Sequence, residues 1–136
     1  MKSVEAISLA ARDSYCSEEY FQRMLILERL RSQKTGKPFV LILLNIAKLT
    51  KGKRVEKAFV LKRLASVLDS SIRTIDVKGW YMLNSIIGII CQDVPEKHRN
   101  TVTGRIRNKL FEEGIFHLVG NKADAIKLLS LLYPDQ

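Results

Sequence analysis

The sequence predicts one α+β domain in which a first helix is followed by elements in the order β-α-β-β-α-β. Three observations support this prediction. The chain has 136 residues and 46% hydrophobic residues, enough for one domain with its own core. The run FVLILLNI is continuously apolar, as in a strand covered on both faces. Two apolar segments flank the short turn Leu83-Asn84-Ser85, as in a β-hairpin.

The first helix is predicted to begin after Ser17, whose hydroxyl can cap the helix N-terminus. Glu18 and Glu19 then carry negative charge where the helix dipole favours it. Apolar residues recur at spacings of three and four as far as Leu30, and Gly36 supplies a C-terminal stop. This pattern indicates an amphipathic helix.

The middle of the chain supplies a strand, a helix and a hairpin. Phe39 to Ile46 is the predicted central strand. Val55 to Leu68 places its apolar residues on or near one face, which predicts a helix. The hairpin strands are predicted at about Arg73 to Met82 and Ile86 to Gln92.

The last part of the chain is predicted to hold a helix, a strand and a further helix. Asp93 and Pro95 open the first of these helices, and Gly114 ends it. The segment Ile115 to Val119 has the composition of a strand. Ala123 to Leu132 is helical by pattern.

This order matches the split β-α-β arrangement of the ferredoxin-like group, with one antiparallel sheet and helices on one face. The whole chain, 1–136, is expected to be a single domain with a core from about 15 to 120. A fold of this kind does not itself imply a function.

The chain carries a formal net charge of +9 and a pI of about 9.8. Such an excess of positive charge favours anionic partners, such as nucleic acid, nucleotides or an acidic protein. The alternative is that the charge serves only to keep the protein soluble. The densest basic run is Lys48 to Lys57. No apolar run approaches the ~18 residues of a membrane helix, so we expect no membrane insertion and a cytoplasmic location.

Candidate catalytic residues are sparse. His98 and His117 are isolated in sequence, and Cys16 and Cys91 lack the spacing of a metal site. Cys91 lies in an apolar strand, which favours a core residue over a nucleophile. The sequence therefore predicts no catalytic residue, no metal site and no cofactor.

The segment Lys78-Gly-Trp-Tyr-Met82 is similar to the Lys/Arg-Gly-aromatic strand of RNA-recognition domains, which have the same order of elements. Those domains stack bases on exposed rings. RNA binding through Trp80, Tyr81 and basic residues therefore stays an alternative. It requires both rings to be exposed together on the sheet face.

Four segments resemble the GGDEF family, the diguanylate cyclase domain of bacteria, between Tyr15 and Val119. The resemblance implies the nucleotide-cyclase palm, a form of the ferredoxin-like sheet. The matching segments are the start of the first helix (Tyr15 to Phe21), the first strand (Phe39 to Leu49), an Arg-x-x-Asp motif (Arg73 to Asp76) and the strand after the signature turn (Ile86 to Cys91).

The departures from the family pattern concern its chemistry. In the family, an Asp at the end of the first strand and an acid of the Gly-Gly-Asp/Glu-Glu-Phe turn hold two Mg²⁺ ions. Asn45 stands at the first position, and Leu83-Asn84-Ser85-Ile86 replaces the signature. Neutral side chains are poor Mg²⁺ ligands, so we expect no cyclase activity.

The resemblance also implies a ligand. Arg73 and Asp76 match the family's inhibitory motif, which implies cyclic-di-GMP binding by these two residues. Lys51, Lys53 and Arg54 keep positive charge nearby and are the candidate phosphate contacts.

The hairpin also looks like that of GGDEF-related modules that accompany bacterial sugar transferases in exopolysaccharide synthesis. It shares their Gly-Trp pair, here Gly79-Trp80, and their return strand with a central glycine, here Ile87-Gly88-Ile89. This similarity implies a regulatory or scaffolding role. The expected function is therefore that of an inactive GGDEF-like module whose partner is another protein or domain, and cyclic-di-GMP is a further candidate ligand.

Overall fold

The computed structural model of the chain describes residues 14–47, 54–115 and 126–133. The helices are α1 (Glu18–Thr35), α2 (Arg54–Ser71) and α3 (Arg99–Glu112), and a 3₁₀ turn at Glu96–His98 leads into α3. The strands are β1 (Phe39–Asn45), β2 (Val77–Met82), β3 (Ile86–Gln92) and β4 (Lys127–Tyr133). Among these elements no helix combines the length and the apolar character needed to cross a membrane.

The four strands form one antiparallel sheet in the order β2-β3-β1-β4. This is the strand order of a ferredoxin-like split β-α-β fold, so the predicted fold class is confirmed. β1 is central: its last residue, Asn45, lies opposite Ile86 of β3 on one side and Lys127 of β4 on the other. The end of β1 therefore lies beside the β2–β3 turn.

The ends of α1 follow the predicted capping chemistry. The Ser17 hydroxyl accepts a hydrogen bond from the Tyr20 amide at 3.1 Å. Gly36 ends the helix at φ 76°, a left-handed conformation in which glycine carries no steric cost.

The larger core lies between the sheet and helices α2 and α3. Alternate residues of β1 and β3 face this side because side chains alternate along a strand. The buried side chains from the sheet are Val40, Ile42, Leu44, Ile87, Ile89 and Cys91, and those from the helices include Leu61, Leu64, Leu68, Ile106 and Leu110.

A second core lies on the opposite face of the sheet, beneath α1. Phe21 and Leu25 of α1 pack there against Phe39, Leu41 and Ile90. The expectation that helices cover one face is therefore wrong for α1, although it holds for α2 and α3. Because β1 is buried on both faces, its continuous apolar run is explained.

The predicted helix at Ala123 to Leu132 is wrong over its second half, where the chain forms β4. Within β4, Leu128 and Leu132 face the larger core, whereas Leu131 and Tyr133 face the second core. A leucine-rich run fits both the period of a helix and that of a strand. Here the edge of β1 is available for pairing, so the segment forms a strand. The predicted strand at Ile115 to Val119 lies outside the described residues except for Ile115, which is helical.

Candidate functional site

The two positions at which the resemblance to GGDEF domains implies metal-binding acids lie side by side. The amide of Ile46, just after β1, donates a hydrogen bond to the Ser85 carbonyl in the β2–β3 turn at 2.8 Å. Asn45 itself lies opposite Ile86, the first residue of β3. The fold therefore brings the end of β1 and the hairpin turn into one place, as the resemblance implies.

The side chains of Asn45, Leu83, Asn84 and Ser85 are neutral. The side-chain oxygen of Asn45 accepts a hydrogen bond from the Ala47 amide at 3.0 Å, so it is engaged with its own backbone. Asn84 takes a left-handed conformation with φ 65°, which asparagine tolerates in turns. Within residues 14–47, 54–115 and 126–133, no three His, Cys, Asp or Glu side chains could share a metal ion. These residues do not fit a pair of Mg²⁺ ions.

The carboxylate of Glu18 reaches the hairpin turn, a contact that no sequence pattern predicts. Oε1 of Glu18, in the first turn of α1, accepts a hydrogen bond from the Leu83 amide at 2.6 Å. The two residues are 65 positions apart, so only the fold reveals this contact. Glu18 therefore ties the turn to the N-terminus of α1.

Arg73 and Asp76 form a closed turn before β2, which begins at Val77 rather than at Arg73. Asp76 Oδ2 accepts from the Arg73 amide at 2.8 Å, and Asp76 Oδ1 accepts from Arg73 Nη2 at 2.9 Å. The Asp76 side chain is 4% exposed, whereas that of Arg73 is 46% exposed. Both carboxylate oxygens are therefore occupied by Arg73.

Arg73 continues into a chain of polar contacts along one end of the sheet. Its Nη2 also donates to the Gln92 carbonyl at 2.6 Å, and Gln92 Nε2 donates to Glu28 Oε2 at 2.9 Å. Glu28 is buried and accepts from Arg31 Nη2 at 2.7 Å, and this hydrogen bond raises the pKa of Arg31. The motif is thus part of the contact between α1 and β3.

Trp80 and Tyr81 lie on opposite faces of β2, because consecutive side chains of a strand alternate. Trp80 is buried in the larger core, with its ring centroid 5.2 Å from that of Tyr15. Tyr81 is half-buried beside Phe21. The two rings cannot form a shared stacking surface, so the requirement of the RNA-binding alternative is not met.

The two cysteines of the described part of the chain do not carry activated thiols. Cys91 is buried, and burial raises the pKa of its thiol from 9.0 to about 12, which disfavours the nucleophilic thiolate. Cys16 is half-buried and its pKa is raised, mainly by desolvation. His98 is exposed in the 3₁₀ turn, while His117 lies outside the described residues.

The predicted phosphate contacts fall mostly outside the described part of the chain. Lys51 and Lys53 lie in the gap between 47 and 54. Arg54 is the first residue of α2, and its side chain is not among those described. Their role stays a prediction.

Comparison with known proteins points to one fold. No protein-family model matches the sequence, and no curated protein matches it. Among solved structures, a DGC protein from Thermotoga maritima matches with a TM-score of 0.68 and 17% identity over 89% of this chain and 83% of its own. The GGDEF domain of DgcB from Caulobacter crescentus, solved with c-di-GMP, matches with a TM-score of 0.67 and 15% identity, over 87% of this chain and 71% of its own.

A third match is the diguanylate cyclase SiaD from Pseudomonas aeruginosa, solved with its activator SiaC. Its TM-score is 0.62 at 18% identity, over 85% of this chain and 45% of that chain. At such identities the likeness concerns architecture and not chemistry. The chain therefore has the fold of GGDEF diguanylate cyclase domains.

Proposed function

We propose that this domain is a catalytically inactive GGDEF-like module that works by binding another protein or domain. One observation carries the proposal. Asn45 and the turn Leu83-Asn84-Ser85 come together where a cyclase would need metal-binding acids, and all four side chains are neutral.

The chemistry of phosphoryl transfer explains why this observation matters. Condensation of two GTP molecules into cyclic-di-GMP, with release of two pyrophosphates, requires metal ions that neutralise the triphosphates and activate the attacking hydroxyls. Carboxylates are the protein ligands that such ions use. Glu18 contributes a single carboxylate near the turn, and its Oε1 accepts a hydrogen bond from the Leu83 amide.

A role in protein binding agrees with the fact that one structural neighbour was solved together with a second protein. SiaD was solved with its activator protein SiaC. For the present chain, a partner protein and a cytoplasmic, regulatory role, in bacterial signalling or polysaccharide synthesis, are part of the proposal.

The test of inactivity is a turnover assay. The purified protein is incubated with GTP and either Mg²⁺ or Mn²⁺, and the products are separated by liquid chromatography with mass detection. An active GGDEF enzyme run in parallel shows that the assay works. We expect GTP to be recovered intact, whereas accumulation of cyclic-di-GMP would refute the proposal.

Cyclic-di-GMP is a second candidate ligand, because the Arg73 guanidinium is half-exposed at the turn before β2. DgcB, a structural neighbour, was solved in complex with c-di-GMP. In this chain both carboxylate oxygens of Asp76 accept hydrogen bonds from Arg73. Arg73 would therefore contact the ligand, while Asp76 would hold the Arg73 side chain in position. Lys51, Lys53 and Arg54 would then bind the phosphates.

Titration calorimetry with cyclic-di-GMP tests this second candidate. Arg73→Ala should abolish the binding heat, whereas Arg63→Ala should leave it unchanged. Arg63 is a matched control because its side chain is 47% exposed and pairs with Glu113 at 3.5 Å. No heat with the unaltered protein would eliminate the ligand, and equal loss in both variants would eliminate the site. A thermal melt of each variant checks that it is folded.

A further inference from the structure

The outward face of α1 carries three large aliphatic side chains at positions that are neighbours on a helix. Ile26, Leu27 and Leu30 are 55%, 52% and 56% exposed. Residues three and four apart lie beside each other on a helix, so these side chains form one patch.

This patch lies opposite the buried side of the helix. The buried side is formed by Phe21, Leu25, Glu28 and Ser32. At about 100° per residue, Leu30 points almost directly away from Phe21, so the prediction that Leu30 continues the apolar face of the helix is wrong. The outward aliphatic side chains therefore contribute little to either core, and contiguous exposed apolar patches commonly mark interfaces.

We propose that this face binds the same face of a second copy, with the two α1 helices antiparallel. A two-fold axis between Ile26 and Leu27 places Ile26 against Leu27 of the second copy. The same axis places Leu30 against the aliphatic stem of Arg23 and brings Glu19 opposite Lys34. Each contact occurs twice, as in an isologous interface.

The charges on α1 favour a second copy in this orientation. Glu19 and Lys34 are exposed and lie equally far from the proposed axis, at opposite ends of the patch. An antiparallel pair therefore joins opposite charges at both ends, whereas a parallel pair would place like charges together. The helix dipoles also favour the antiparallel orientation.

The contact is small. The helix from Glu19 to Lys34 is roughly 24 Å long, and one helix pair of this length buries less than a standard interface. The net charge of +9 on each copy also opposes association. The dimer should therefore be weak and should form only at high protein concentration.

Sedimentation velocity on the full chain, from about 10 µM to about 1 mM, measures this association. The unaltered protein should shift from monomer to dimer, and Leu30→Glu should weaken dimerisation by at least about tenfold. Phe59→Glu is the matched control, since Phe59 is 60% exposed on α2 and should leave association unchanged.

Charge reversal tests the antiparallel register. Glu19→Lys and Lys34→Glu should each weaken self-association, because each places like charges together twice. An equimolar mixture of these two variants should form a mixed dimer, because every end contact is then again between opposite charges. The double variant should also recover association.

Two results would overturn the proposal. An unaltered chain that stays monomeric at the highest concentration would refute self-association and leave the face to a different protein. A dimer that survives Leu30→Glu, or single variants that do not pair when mixed, would place the interface elsewhere or in another register.

Discussion

Alanine at position 88 should destabilise the domain, because Phe21 fills the space above two paired glycines. Gly79 and Gly88 lie opposite each other in β2 and β3. A Cβ atom on Gly88 would lie 2.4 Å from Phe21 Cζ and 2.7 Å from Phe21 Cε2. Phe21 is fully buried, so its ring cannot move into solvent.

The size of the effect follows from the displacement required. Carbon atoms in contact lie about 3.5–4.0 Å apart, so the ring or the strand must move by roughly 1 Å. Overpacking of this kind costs about 1–3 kcal/mol. For a domain of this size, that corresponds to a fall in Tm of about 4–12 °C.

Thermal and urea unfolding followed by circular dichroism measure the loss. Gly104→Ala is the control with the same chemical change, since a Cβ at Gly104 meets no atom within 4 Å. Gly104 lies inside α3, where alanine should stabilise the helix by up to about 1 kcal/mol. Equal stability of Gly88→Ala and the unaltered protein would refute the packing described for Phe21.

Three further predictions concern single contacts. The raised pKa of Cys91 should protect its thiol from alkylating reagents at pH 8 until the protein unfolds. Because the pKa of this thiol is higher in the folded than in the unfolded protein, its contribution to the free energy of unfolding should be constant below pH 9. This contribution should fall between pH 9 and about 12, as unfolding measured at several pH values would show. Tyr15→Phe removes the hydroxyl that donates to the Leu61 carbonyl at 2.7 Å in the core, and should cost about 1 kcal/mol in urea unfolding. Glu18→Ala should speed hydrogen exchange of the Leu83 amide, measured by NMR, while an unchanged rate would contradict the Glu18 contact.

Local chemistry in the sequence was enough to predict part of the fold. The Ser17 cap and the Gly36 stop define α1 because they act on backbone groups a few residues away. β1 and the turn at Leu83-Asn84-Ser85 were predicted from apolar continuity and turn composition, and the structure confirms both.

Contacts between distant segments decided the rest. Part of β4 was predicted to be a helix because a leucine-rich run fits the periods of both a helix and a strand. The pairing of this segment with β1 makes it a strand, and the local sequence does not show that pairing. The Glu18–Leu83 and Gln92–Glu28 contacts join residues 65 and 64 positions apart, beyond any local pattern. Ligand binding by Asp76 stays a prediction, and in the structure both of its carboxylate oxygens accept hydrogen bonds from Arg73, three residues away.

We propose that a GGDEF fold is present here without cyclase chemistry, since Asn45 and the side chains of the hairpin turn are neutral where they meet. The most direct measurement is mass detection of nucleotides after prolonged incubation of the protein with GTP and Mg²⁺ or Mn²⁺. We predict that only GTP is recovered. Formation of cyclic-di-GMP in proportion to the amount of protein would contradict the claim.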